Sequence, residues 1–158
     1  MFDEFDVSVK TTSNERRTHW VDSLTQLQAT DQRPLWLVSH QITEAGAGGW
    51  RLADLVAAAR QAVSTAGLTQ KLNRLLAGVG WTDVLSEMEA RRWRRRFPSF
   101  GYLVDDKFPH LTAARLADAG IDTIRVPEVR YRLDLTDQPP GSSVPTILAG
   151  VIDTEVTA

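Results

Sequence analysis

Residues Leu35 to Ile42, LWLVSHQI, constrain the fold most strongly. The run is apolar at consecutive positions and has the length of a strand rather than a helix. Such a run needs cover on both sides, so it predicts a central strand of a sheet with flanking layers. A second strand is read over residues 4–10, where Phe5, Val7 and Val9 alternate with Glu4, Asp6, Ser8 and Lys10. That period of two predicts a half-buried strand whose polar face is rich in ionisable groups.

Between these strands, Thr11 to Arg17 reads as a polar connector. Trp20, Leu24 and Leu27 then recur at helical spacing, which predicts a helix over roughly 18–28. After the flexible EAGAGG turn, apolar residues at 52, 55, 56, 59 and 63 predict an amphipathic helix. Gly67 is expected to break it, and Leu68, Leu72, Leu75 and Leu76 to continue as a second helix ended by Gly78 and Gly80. Thr82 is expected to cap a helix through Val84, Leu85 and Met88. Aromatic residues from Trp93 to Tyr102 suggest one or two strands with a break at Pro98. Thr112 and Gly120 read as the two caps of a short helix, and VRYRLDL at 129–135 alternates as a strand.

The pattern as a whole predicts an α/β fold: a small mixed sheet with flanking helices, followed by an α+β C-terminal subdomain. The division expected is 1–80 for the sheet core with its helical pair and 81–158 for the subdomain packed on it. The hydrophobic fraction of 42% is enough for a real core. No run of about 18 apolar residues occurs, which argues against a membrane span. The acidic N-terminus lacks the apolar segment of a secretory signal. The absence of cysteine excludes disulfides and thiolate metal sites and fits a cytoplasmic protein. A formal net charge of −2 argues against bulk attraction to nucleic acid and leaves only local basic patches.

The opening strand carries the first candidate chemistry. Phosphodiester cleavage by a divalent metal needs carboxylates to hold the ion and a cation to steady developing charge. Residues two apart on a strand share a face about 6.6–6.8 Å apart. Glu4 and Asp6 as metal ligands, with Asp6 and Lys10 as catalytic groups, meet this in outline. An ordinary solvated strand face of mixed charge explains the same residues. Among other features, Arg91, Arg92, Arg94, Arg95 and Arg96 surround Trp93. They suit either a phosphate-binding ridge or a helix end paired with Glu87 and Glu89. GAGG at 46–49 lacks the Lys-Ser/Thr sequel of a nucleotide loop. His19, His40 and His110 lack zinc spacing, and Ser39-His40 lacks a nucleophile elbow.

The stretch DVSVKTTSNERRTHWVDSLTQL, followed by PLWLVSHQI, resembles the core of the bacterial PD-(D/E)XK-motif protein family linked to restriction and phage defence. The matching pieces are Lys10, the pair Thr11-Thr12, the basic stretch Arg16-Arg17 with His19, Gln26-Leu27, and Leu37-Val38-Ser39. FGYLVDDKFPHLTAARL and VRYRLDL are similar to that family's C-terminal pattern, so the resemblance spans roughly residues 5–136. It implies a restriction-endonuclease-like core, DNA as partner and Mg²⁺ as cofactor. In such a core the connector would contact DNA through Thr11, Thr12, Asn14, Arg16, Arg17 and His19. Two departures stand out. Ser8 occupies the acidic position two before the lysine, and a carboxylate holds Mg²⁺ far better than a hydroxyl. The family's other acid lies on an earlier strand, whereas this sequence opens near the lysine strand. The resemblance therefore implies a member truncated or degenerate at its catalytic acids and lacking the fold's first elements. The alternative it allows is a non-catalytic assembly subunit that binds a partner protein of the same defence system.

Overall fold

The computed structural model describes residues 4–30, 33–82, 90–141 and 143–153. The chain is a mixed α/β structure that divides into two compact units. One comprises the described residues of 1–42 and 95–156; the other comprises those of 43–94.

In the first unit the apolar run becomes β3 (Leu35–Ala45), with β1 (Asp6–Thr12) on one side and β6 (Phe100–Leu103) on the other. β1 runs parallel to β3, from Asp6 opposite Leu35 to Thr12 opposite Gln41. β6 runs antiparallel, from Leu103 opposite Trp36 to Phe100 opposite Ser39. The sheet is therefore mixed, and β3 is central in this unit. Leu35, Trp36, Leu37 and Val38 are all at most 5% exposed, so both faces are covered. On one face Leu35, Leu37 and Tyr102 pack with Val21, Leu27, Val104, Phe108, Leu133 and Leu135. On the other, Trp36 and Val38 meet Phe5, Val7, Val144, Leu148 and Ile152, the last two from a helix over Thr146–Asp153.

The first face is covered by a two-stranded antiparallel ribbon, β2 (Thr18–Val21) with β7 (Tyr131–Asp134). This corrects the helix expected over 18–28. Thr18–Val21 is a strand, and Ser23–Leu27 forms turns. The helical spacing of Trp20, Leu24 and Leu27 does not describe one buried face, because Trp20 points outward while His19 and Val21 are buried. Pairing with a strand more than a hundred residues later supplies the hydrogen bonds that a local helix would otherwise have made.

The short helix of this unit, α3 (Ala113–Asp118), has the caps expected of it. The Thr112 hydroxyl accepts from the Arg115 N–H at 3.2 Å, and Gly120 adopts φ 78°. The C-terminal helix Thr146–Asp153 is α4.

The second unit contains α1 (Leu52–Ala62) and α2 (Ala66–Gly78). It also contains β4 (Trp50–Arg51), which pairs antiparallel with Trp93 and Arg92 of β5 (Arg92–Arg95). Contrary to the expectation from sequence, Gly67 does not break the helical stretch but lies in the first turn of α2. The break falls just before it, where the Thr65 side chain caps α2 by accepting from Leu68 N–H at 3.3 Å. The helix expected from Thr82 to Met88 lies outside the described residues. Among the described residues no helix is long and apolar enough to cross a membrane.

Candidate functional site

Lys10 lies on β1 directly opposite Ser39 of β3, on the same sheet face as Asp6 and Ser8. That face looks toward β2, and the Lys10 ammonium donates to the Trp20 carbonyl at 2.7 Å. The contact satisfies an oxygen on β2 that β7 does not use. Partial burial pushes the lysine pKa below its ordinary value, and the nearby Asp22 carboxylate opposes that shift.

Asp6 sits at the start of β1 in a different setting. Its carboxylate is 3.2 Å from the Arg33 guanidinium and accepts from the Thr30 hydroxyl at 2.8 Å. Arg33 also donates to the Phe5 carbonyl at 3.0 Å. Asp6 and Lys10 are four residues apart on one strand, about 13 Å at the usual rise. Ser8 stands between them with a neutral hydroxyl. Glu4 is exposed. Among the described residues no cluster of three or more His, Asp or Glu could hold a metal ion. These side chains do not fit a divalent cation: the one strand carboxylate on the lysine's face is already neutralised by an arginine.

The connector after β1 is fastened from below. The Gln41 amide donates to the carbonyls of Asn14 and Glu15 at 3.3 and 3.0 Å. Thr12 is buried, and its hydroxyl accepts from the Asn14 N–H at 3.2 Å; the Asn14 amide donates to the Thr18 hydroxyl at 3.0 Å. Thr11, Asn14 and Arg16 are exposed. Arg16 makes a solvent-exposed ion pair with Asp134 at 2.7 Å.

Arg17 and His19 turn inward. Arg17 is 3% exposed. Its guanidinium donates to the Ser39 carbonyl at 3.0 Å, the Ser39 hydroxyl at 2.9 Å and the Pro98 carbonyl at 2.9 Å. It also lies 4.3 Å from the centroid of the Phe100 ring. His19 Nε2 is 2.7 Å from the Ser39 hydroxyl oxygen. Burial, reinforced by the charges of Arg17 and Lys10, lowers the His19 pKa to about 4, so the ring is neutral at pH 7. His40, on the opposite face of β3, is 2.6 Å from the Ser99 hydroxyl and is lowered by burial and then by Arg95.

The structure thus splits the sequence-derived group. Lys10, Arg17, His19 and Ser39 converge between β1, β2 and β3. Thr11, Asn14 and Arg16 stay at the surface, and Asp6 is held apart by Arg33. The convergence on Ser39 was not legible as a site beforehand. Its one sequence signal is a hydroxyl on the otherwise apolar Leu35-Leu37 face of a central strand. Ser39 is fully buried, which leaves it no access to a substrate, so the cluster is a polar core rather than a nucleophile site. Of the arginines near Trp93, Arg92, Arg94 and Arg95 are strand residues rather than a helix end, and the expected partners Glu87 and Glu89 lie outside the described residues. Arg92 donates to the Gly49 carbonyl at 2.9 Å and Arg95 to the Ile152 carbonyl at 2.9 Å.

No curated protein and no solved structure matches the chain. The family described as "Putative PD-(D/E)XK family member, (DUF4420)" matches residues 1–136, well over half of the sequence, with the lysine strand, the buried Ser39 cluster and the β2–β7 ribbon all inside the matched region, and the chain belongs to that family.

Proposed function

We propose that the protein is a DNA-binding, nuclease-like cytoplasmic component of a bacterial restriction or phage-defence system. The observation that carries this reading is the family membership, supported by an exposed arginine, Arg16, in the connector that follows the lysine strand. Backbone contact falls to the exposed members of that connector, Thr11, Asn14 and Arg16. Thr12, Arg17 and His19 hold it in shape from within. Arg16 is well suited to the role, since an exposed ion pair such as Arg16–Asp134 is worth only about 0–1 kcal/mol and is readily exchanged for a phosphate. Intact members of a PD-(D/E)XK family would use Mg²⁺ to cut DNA. The described carboxylates do not assemble for this, so the reading is binding without cleavage by this chain alone.

The test is duplex DNA binding followed by fluorescence anisotropy at several salt concentrations. Binding should weaken steeply with salt, and Arg16→Ala should weaken it across sequences while reducing the salt slope by about one. A parallel plasmid assay with Mg²⁺ or Mn²⁺ compares wild type with Lys10→Ala and Asp6→Ala. Nicking by wild type that both variants lose would overturn the non-cleaving part and restore Asp6, with Glu4, as a metal site.

A second reading, an assembly subunit of the same system, is favoured by the helical pair of the second unit. Neither α1 nor α2 buries a residue, and Leu52, Leu55, Leu68 and Leu75 are all exposed. Absence of DNA affinity, with stable co-purification of a partner from the same operon, would favour this reading instead.

A further inference from the structure

The outer face of the β2–β7 ribbon carries a feature that neither the connector nor the buried cluster uses. Trp20 projects from β2 and is 48% exposed, although it adjoins a strand that buries both its neighbours, His19 and Val21. Arg132 stands directly across from it on β7. The pair lies at a non-hydrogen-bonded position of the ladder. Arg17 and Leu135 are bonded through Leu135 N–H to Arg17 C=O, so the alternation leaves Trp20 and Arg132 unbonded, and Lys10 takes the Trp20 carbonyl instead. Side chains at such positions approach most closely. The Arg132 guanidinium carbon is 5.9 Å from the Trp20 ring centroid, and that of Arg130 is 4.4 Å away.

The charges on this face are unequal in their partners. Arg130 is paired with Asp22 at 2.8 Å, and Arg16 with Asp134 at 2.7 Å. Arg132 has no carboxylate partner among the described residues. The face therefore presents a half-exposed indole with the Arg130 guanidinium over its ring, a second guanidinium, Arg132, that has no carboxylate partner among the described residues, and Arg16 and Arg130 in exposed, exchangeable ion pairs, so a flat ligand takes the part of the indole that Arg130 leaves uncovered. An indole takes a flat π surface, and guanidiniums take phosphate or a further π face.

We propose that Trp20 with Arg130 and Arg132 is a stacking site for an unpaired nucleobase of single-stranded DNA, with the adjoining phosphates on the arginines. The proposal rests on the DNA-binding reading above and deepens it. A duplex keeps its base faces inside the stack, so it can reach the arginines but not offer a base to the indole. A single strand, or a base turned out of a duplex, can do both.

The test uses the full chain and fluorescein-labelled oligonucleotides read by anisotropy at one salt concentration: a mixed-sequence single strand, the same strand with abasic sites, and the matching duplex. Trp20→Ala should weaken single-strand binding by roughly 5- to 150-fold, the range for loss of one base stack. Duplex binding should change by less than about twofold, well below that range. Trp20→Phe should restore most of the single-strand affinity, and the abasic strand should bind wild type as weakly as the normal strand binds Trp20→Ala. Arg132→Ala should weaken both forms. Unchanged single-strand affinity in Trp20→Ala, with duplex binding intact, overturns the stacking site and leaves the DNA-binding reading standing. Binding of neither form by wild type overturns both. Matched thermal melting of the Trp20→Phe and Trp20→Ala proteins keeps any loss from being attributed to unfolding.

Discussion

Replacing Arg17 with alanine separates a structural guanidinium from a phosphate-binding one. In the fold the side chain donates to three acceptors, the Ser39 carbonyl, the Ser39 hydroxyl and the Pro98 carbonyl, and lies over Phe100. Two of those acceptors are backbone oxygens that lose a charged donor, at about 1–3 kcal/mol each. Arg17→Ala should therefore destabilise the first unit by about 2–6 kcal/mol. At a urea dependence of about 2 kcal/mol per molar, the unfolding midpoint falls by roughly 1–3 M. Urea titrations followed by far-UV circular dichroism and tryptophan fluorescence measure it. The DNA affinity of the molecules that remain folded should change little. A variant within about 1 kcal/mol of wild type that has nonetheless lost DNA binding would refute the reasoning, since that outcome needs a guanidinium facing solvent rather than the sheet.

Two further outcomes follow from the same geometry. His19 is neutral in the fold with its pKa depressed to about 4, while the unfolded chain binds a proton near 6.5. Between those values the unfolded state holds more protons, so stability is fully present above about pH 6.5 and declines toward pH 4, by at most about 1.4 kcal/mol per pH unit. Chemical denaturation across that window should show the slope, and His19→Gln should flatten it; an equal slope in the variant would assign the effect to other groups, His40 first among them because burial depresses it too. Gly49 adopts φ 103°, and a Cβ there would come within 2.7 Å of the Trp93 carbonyl oxygen. Gly49→Ala should thus destabilise the β4–β5 pair by about 1–3 kcal/mol, read as faster amide exchange at Trp50 and Trp93, and unchanged exchange there would contradict it.

The regular elements whose information is local could be read in advance. LWLVSHQI is buried on both sides because consecutive apolar residues leave a strand no solvent face, and β3 lies between β1 and β6 as that demands. Thr112 and Gly120 bracket α3 because a side-chain acceptor and a left-handed backbone act within one turn. The order of the Lys10, Thr-Thr and Leu-Val-Ser pieces was enough to point to the family. Residues 18–28 failed for the complementary reason. Their local spacing favours a helix, but the partner strand Tyr131–Asp134 is supplied from far along the chain, and its hydrogen bonds outweigh a weak local preference.

The same distance dependence decided the site. Composition and order identified Arg16, Arg17 and His19 as one basic stretch. Strand alternation and the polar Ser39 then sent Arg17 and His19 inward and left Arg16 outside. Whether a charged group meets a phosphate or a buried carbonyl depends on what stands across from it. By itself the sequence determined the central strand, the caps of the short helix and the family, because those depend on neighbours along the chain. Only the tertiary structure decided that Lys10 reaches the Trp20 carbonyl, that Asp6 is taken by Arg33 and that Trp20 opens to solvent beside Arg132. Each of those is a through-space contact between side chains and backbone groups that pairing and folding, rather than proximity in sequence, bring within a few ångströms.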